Sequence, residues 1–168
     1  MLRKTVVAIL FSVGTAAAAQ SSEAILNLEI PRLQVAEYHN PYVAIWVHSN
    51  STGDIANLAL WYQMDERGEG EKWLKDLRQW WRRSGRSLEM PADGFTGATR
   101  RPGRYSMDVT AALKALPAGQ YTLYIEASRE VGGRELLKLP VTLPAITPIT
   151  AEVVGESELG AVAFQVKP

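Results

Sequence analysis

Cysteine is absent from the 168 residues, which excludes disulfides, thiolate zinc sites, iron–sulfur clusters, catalytic thiols and a lipid-modified N-terminal cysteine. Histidine occurs only as His39 and His48, too few for an imidazole-built metal site. No nucleophile stands beside either of them in a hydrolase-type motif. Net charge is missing as well, because 18 Lys and Arg balance 18 Asp and Glu. Such a chain has no overall field with which to hold a nucleic-acid backbone or an anionic membrane, so nucleic acid is not an expected partner. Beyond the N-terminus no apolar run is long enough to cross a bilayer, and an integral membrane protein is not expected either. The remaining composition, 46% hydrophobic and 21% charged, is ordinary for a globular chain with one core.

The first nineteen residues read as an export signal. Arg3 and Lys4 are followed by the apolar run Val6 to Val13 and by small residues ending at Ala17, Ala18 and Ala19, which suit signal peptidase. Cleavage after Ala19 would remove two of the 18 cations and none of the 18 acids, leaving a mature chain, 20–168, with two net negative charges. A periplasmic location is the expectation.

The mature chain alternates in the manner of half-buried strands. In Ala24 to Ile30, Leu26, Leu28 and Ile30 share one side, and Pro31 ends the run. Tyr42 to His48 and Leu58 to Tyr62 flank a turn-rich Ser49 to Asp54 and read as a hairpin. Tyr121 to Ala127 and Leu136 to Leu143, joined through Gly132 and Gly133, read as a second, and Ala151 to Val154 and Ala161 to Val166 add two further strands. Between the hairpins, Trp73, Leu74, Leu77, Trp80 and Trp81 recur at spacings of three and four, predicting one amphipathic helix over Glu71 to Arg83. A shorter helical turn is expected at Ala111 to Leu116. These elements predict a mainly β fold: a single immunoglobulin-like β-sandwich domain with one inserted helix.

The stretch Asp93-Gly94-Phe95-Thr96-Gly97-Ala98-Thr99 shows neither periodicity and reads as a loop of small residues presenting two hydroxyls. Asp93, two variable residues, then Thr96-Gly97-Ala98-Thr99 resembles the site modified by FAD:protein FMN transferase. In proteins bearing that motif the final Thr, here Thr99, carries FMN through a phosphoester, as in flavin subunits of sodium-pumping membrane oxidoreductases. Only the loop matches those subunits.

A wider resemblance rests on Ile30-Pro31-Arg32, Pro41 to Trp46, Leu60-Trp61-Tyr62, Lys72-Trp73-Leu74, Trp80-Trp81-Arg82, the Thr-Gly-Ala-Thr loop and Gly119-Gln120-Tyr121. With these the chain resembles the secreted proteins grouped as domain of unknown function 2271. The resemblance implies a periplasmic flavoprotein that exchanges electrons with a PepSY-type transmembrane partner, more an electron carrier than a stand-alone enzyme.

Arg100, Arg101 and Arg104 follow Thr99, and Arg82, Arg83 and Arg86 close the predicted helix; both groups are candidates to pair the phosphodiester and the reduced ring. Trp46, Trp61, Trp73 and Trp80 are expected in the core, with Trp81 the candidate to meet a ring. His39, beside Tyr38 and Asn40, is placed to line a cleft. Asp65, Glu66, Glu69 and Glu71 read as a solvated acidic turn. The alternative function is a non-enzymatic secreted binding module on the same sandwich.

Overall fold

The computed structural model describes residues 22–64 and 67–168; the expected signal segment 1–19 and the acids Asp65 and Glu66 lie outside them. Among the described residues nine strands form two sheets. Strands β1 (Glu23–Ile30), β5 (Gly103–Asp108), β8 (Ile149–Val154) and β9 (Ala161–Lys167) make one, in the order β5-β1-β9-β8. The other runs β4-β3-β2-β6-β7, from β2 (Tyr42–Ser49), β3 (Ile55–Tyr62), β4 (Thr96–Ala98), β6 (Gly119–Ser128) and β7 (Arg134–Leu143). All neighbouring strands are antiparallel except β3 and β4.

The strand patterns assign the faces. Leu26, Leu28 and Ile30 of β1 point inward, as their alternation requires, and meet Val43, Ile45, Val47, Leu123, Ile125 and Phe164 in the core between the sheets. In immunoglobulin terms β1 and β5 pair as strands B and E, β2, β6 and β7 as C, F and G, and β9 takes the place of A. Tyr121, at the start of β6, donates its phenolic hydrogen bond to the carbonyl of Pro117 four residues upstream, 2.8 Å being typical and 2.7 Å observed. That contact is the tyrosine corner of such sandwiches.

The segment between β3 and β5 covers the outer face of the larger sheet. It is not the continuous helix that the spacing predicts. A 3₁₀ helix spans Glu69–Asp76, the chain turns at Leu77 (φ −74°, ψ 70°), and a six-residue α-helix, α1, follows at Arg78–Arg83. Leu74, Leu77 and Trp80 are fully buried against the outward-facing Ala44, Trp46, Leu60 and Tyr62, a second apolar cluster. The expected turn near Ala111 is the short helix α2, Thr110–Lys114. Strand β5 has no counterpart in the predicted elements: only Tyr105 and Met107 face inward along it.

Candidate functional site

The motif does not form the expected loop throughout. Gly94 turns the chain at φ 87°, and Thr96–Ala98 become β4, an edge strand parallel to β3. The amide of Leu60 donates to Phe95 O (2.8 Å) and that of Thr99 to Tyr62 O (3.1 Å), which fix the strand at both ends. The two hydroxyls then part company. Thr96 Oγ1 donates to Ala92 O at 2.8 Å, closing its own turn. Thr99, half-buried, has no side-chain hydrogen bond among the described residues, and it lines a cleft of about 330 Å³.

Five chain segments build that cleft. Tyr38, His39, Asn40 and Tyr42 come from the entry to β2, and Gln63 and Thr99 from the ends of β3 and β4; Trp73 and Asp76 come from the 3₁₀ helix, and Ser128 and Glu130 from the end of β6. Its volume falls in the range of small-ligand sites, about 300–1,000 Å³. The walls combine aromatic faces with amide and hydroxyl groups able to donate and accept. His39 is held by carboxylates, Nε2 at 2.9 Å from Glu37 and Nδ1 at 3.5 Å from Glu130. Burial pushes the Tyr38 phenol above its usual value of 10, partly opposed by the Arg129 guanidinium, so Tyr38 presents a neutral hydroxyl.

Arg129 backs this wall, its guanidinium 5.8 Å from the centre of the Tyr38 ring. It forms a buried, two-pronged pair with Glu158, at 2.8 and 3.1 Å. Glu158 is set in turn by Glu135, whose carboxylate accepts the amides of Glu156, Ser157, Glu158 and Leu159 at 2.5 to 3.2 Å. Burial would raise the Glu135 pKa, but these four donors outweigh it and hold the group below its ordinary 4.5. A depressed folded value means that the stabilisation is present above the unfolded pKa and lost as pH falls through the folded one. Urea unfolding of Glu135→Ala is therefore expected to show a deficit of about 1.5–3 kcal/mol at pH 7 that shrinks steadily below the ordinary carboxylate range. A deficit independent of pH would contradict this role.

The other sequence candidates are dispersed. Asp93 is exposed at the start of the motif, and none of Arg82, Arg83, Arg86, Arg100, Arg101 and Arg104 lines the cleft. Arg100 lies over Trp61 (5.3 Å) and Tyr105 (5.7 Å), Arg83 near Tyr124 (5.9 Å), and Arg104 pairs with Glu29 at 3.6 Å. Arg101 stays exposed, its carbonyl accepting from the Tyr105 hydroxyl at 2.7 Å. Two of the tryptophan assignments are corrected. Trp73 is 49% exposed in the cleft and not in the core, while Trp81, the expected ring contact, packs on the second apolar cluster beside Trp80. His48 meets Tyr124 on the outer face of the larger sheet, its pKa lowered by burial and by Arg83, and takes no part in the cleft. Glu69 of the acidic turn pairs with Lys72 at 2.6 Å on the surface. Gln63, Asp76, Ser128 and Glu130 are cleft residues that nothing in the sequence singles out.

The family model DUF2271, described as a predicted periplasmic protein, covers residues 23–161, from the first strand to the start of the last and including the whole cleft. No curated protein and no solved structure matches the chain. Among the described residues no helix is long and apolar enough to cross a membrane. The two sheets, the inserted helical segment and the cleft thus belong to a periplasmic protein of the DUF2271 family.

Proposed function

We propose that this protein is a periplasmic electron carrier bearing one FMN esterified to Thr99. The observation that carries the reading is a threonine hydroxyl, free of side-chain hydrogen bonds among the described residues, on the wall of a ring-sized cleft. The motif glycine supports it. Gly97 has no positive φ, and a Cβ there would lie 3.8 Å from Trp61 Cδ1, an ordinary contact, so the fold itself does not demand glycine. By contrast Gly70 and Gly85 are forced by atoms at 1.8 and 2.4 Å. Smallness at Gly97 and Ala98 instead suits an edge strand that must enter the cleft of a modifying enzyme, which can pair with its open side.

Loading by FAD:protein FMN transferase balances without a further reactant. Thr99 Oγ1 forms a bond to the flavin-side phosphorus of FAD, the pyrophosphate bond breaks, AMP leaves with its electron pair, and the hydroxyl proton passes to a base on the transferase. The attached group supplies the redox chemistry, with a PepSY-type membrane protein as the electron donor and a soluble acceptor beyond. The chain's own residues hold and shelter it. Asn40, Gln63 and Ser128 offer donors and acceptors to a ring edge, and Tyr38 contributes a neutral hydroxyl. Asp93, Thr96, Gly97 and Ala98 shape the strand offered to the transferase. With Arg100 engaged by Trp61 and Tyr105, exposed Arg101 is, among the described residues, the unpaired cation nearest in sequence to the phosphodiester.

Intact-mass measurement tests this directly. The protein exported from a host that also exports the transferase is expected to be yellow and heavier by one FMN less one water. An unmodified mass from that host would overturn the reading and leave the sandwich as a secreted binding module.

A further inference from the structure

We propose that Trp73 is the stacking platform of the cleft, holding the face of a planar heteroaromatic ring, and that the 3₁₀ geometry of Glu69–Asp76 exists to place it there. The ring's identity as a flavin rests on the Thr99 reading; the platform itself rests on how the chain is wound. In an α-helix Trp73 would share a stripe with Leu77, Trp80 and Trp81 and be buried with them. In a 3₁₀ helix residues three apart eclipse, so the segment has three faces. Leu74 occupies one and is fully buried on the sheet, as is Leu77 just beyond the helix, whereas Gly70, Trp73 and Asp76 occupy the next, and Trp73 and Asp76 both line the cleft.

That winding is locked to the walls of the same cleft. Tyr42 donates its hydroxyl hydrogen to Gly70 O at 3.0 Å, and Gly70 sits so close to Gln63 that a Cβ would fall 1.8 Å from the Gln63 carbonyl oxygen. Tyr42 and Gln63 are both lining residues. The other tryptophans are committed elsewhere: Trp46 stacks on Tyr124 with centroids 5.0 Å apart, Trp61 meets Tyr105 edge-on, and Trp80 and Trp81 fill the second cluster. Tyr38 already lies against Arg129, and Tyr42 against Tyr62. Among the described residues Trp73 has no aromatic neighbour, its single ring contact being Lys75 Nζ at 6.0 Å. A large indole left half-exposed between a free hydroxyl and two phenols is arranged to gain its contact from a ligand.

Flavin emission reads the contact, because stacking on an indole quenches it. In protein loaded at Thr99, Trp73→Ala is expected to raise flavin fluorescence several-fold and Trp73→Phe to raise it less, with the mass gain unchanged in all three. Equal emission from loaded wild type and loaded Trp73→Ala overturns the platform while leaving the tether intact. Should the wild type carry no added mass, the tether reading fails separately and the same pair is titrated with free FMN: saturable quenching lost in Trp73→Ala sustains the platform, and an equal or absent response overturns it. Unchanged urea midpoints show that the variants fold.

Discussion

Thr99→Ala is expected to abolish both the mass gain and the visible absorbance, with no detectable residue of either. The effect is all-or-none because the ester oxygen is the threonine's own, and no neighbouring group replaces it. The second hydroxyl of the motif is the informative comparison: Thr96 Oγ1 is already committed to Ala92 O at 2.8 Å. Thr96→Ala should therefore still be loaded, although with a looser turn before β4. Neither change threatens the sandwich. Thr99 reaches the fold through its amide, which donates to Tyr62 O, and alanine keeps that bond. A half-buried side chain without hydrogen-bonding duties costs within about 0.5 kcal/mol to truncate. Intact mass and an absorbance scan on the two variants decide the matter, and a loaded Thr99→Ala protein would place the ester on another residue.

Which of these features can be read from the residues follows from where the physical constraint lies. Strand β1 is legible because one of its faces is buried and the other is not, which writes alternation directly into Leu26, Leu28 and Ile30. The larger sheet is harder to parse, since the inserted segment buries its outer face too and Tyr42 to Val47 becomes almost continuously apolar. Strand β5 escapes because it is an edge whose outward residues, Arg104, Ser106 and Asp108, are exposed and whose inward set is short. Three residues of β4 are too few for any period. The spacing of Trp73, Leu74, Leu77, Trp80 and Trp81 fits a single α-helix as well as a 3₁₀ helix joined to a short one; the contact that decides, Gly70 against Gln63, is tertiary. The same holds for the site. Thr99 is marked by a local motif, but its companions come from four separate segments, and only the strand order brings Tyr38, Gln63 and Ser128 to one end of the sheet.

Glu126→Ala is expected to cost about 2–5 kcal/mol, because it takes the acceptor from two backbone amides at the start of α1, each unmet donor costing about 1–3 kcal/mol. Glu126 projects from β6 to the outer face of the sheet and is 0% exposed. Its carboxylate accepts the amide of Gln79 at 3.0 Å from both oxygens, the amide of Trp80 at 2.8 Å, and Arg134 Nη1 at 2.9 Å. No side chain of its own caps α1, so the first-turn donors that every helix leaves unpaired are met from the sheet instead. An anion there also suits the positive end of the helix. Alanine would strand the buried amide of Trp80 and the half-buried amide of Gln79, and unpin Trp80, whose indole nitrogen donates to Asn57 Oδ1 at 2.9 Å beneath the helix. Glu126→Gln should cost less, since its one remaining oxygen still accepts while its amide group turns a donor toward donors. Against a typical total of about 5–15 kcal/mol, the alanine loss is large enough to lower the urea midpoint well clear of error. The consequence reaches the cleft, because α1 follows the 3₁₀ helix directly and Leu77 joins them. Release of α1 frees the segment that carries Trp73 but leaves Thr99 on β4, so Glu126→Ala should still gain the FMN mass while its flavin emission rises toward that of Trp73→Ala. An unfolding free energy within about 0.5 kcal/mol of wild type would mean that Leu74, Leu77 and Trp80 hold the insert by apolar contact alone.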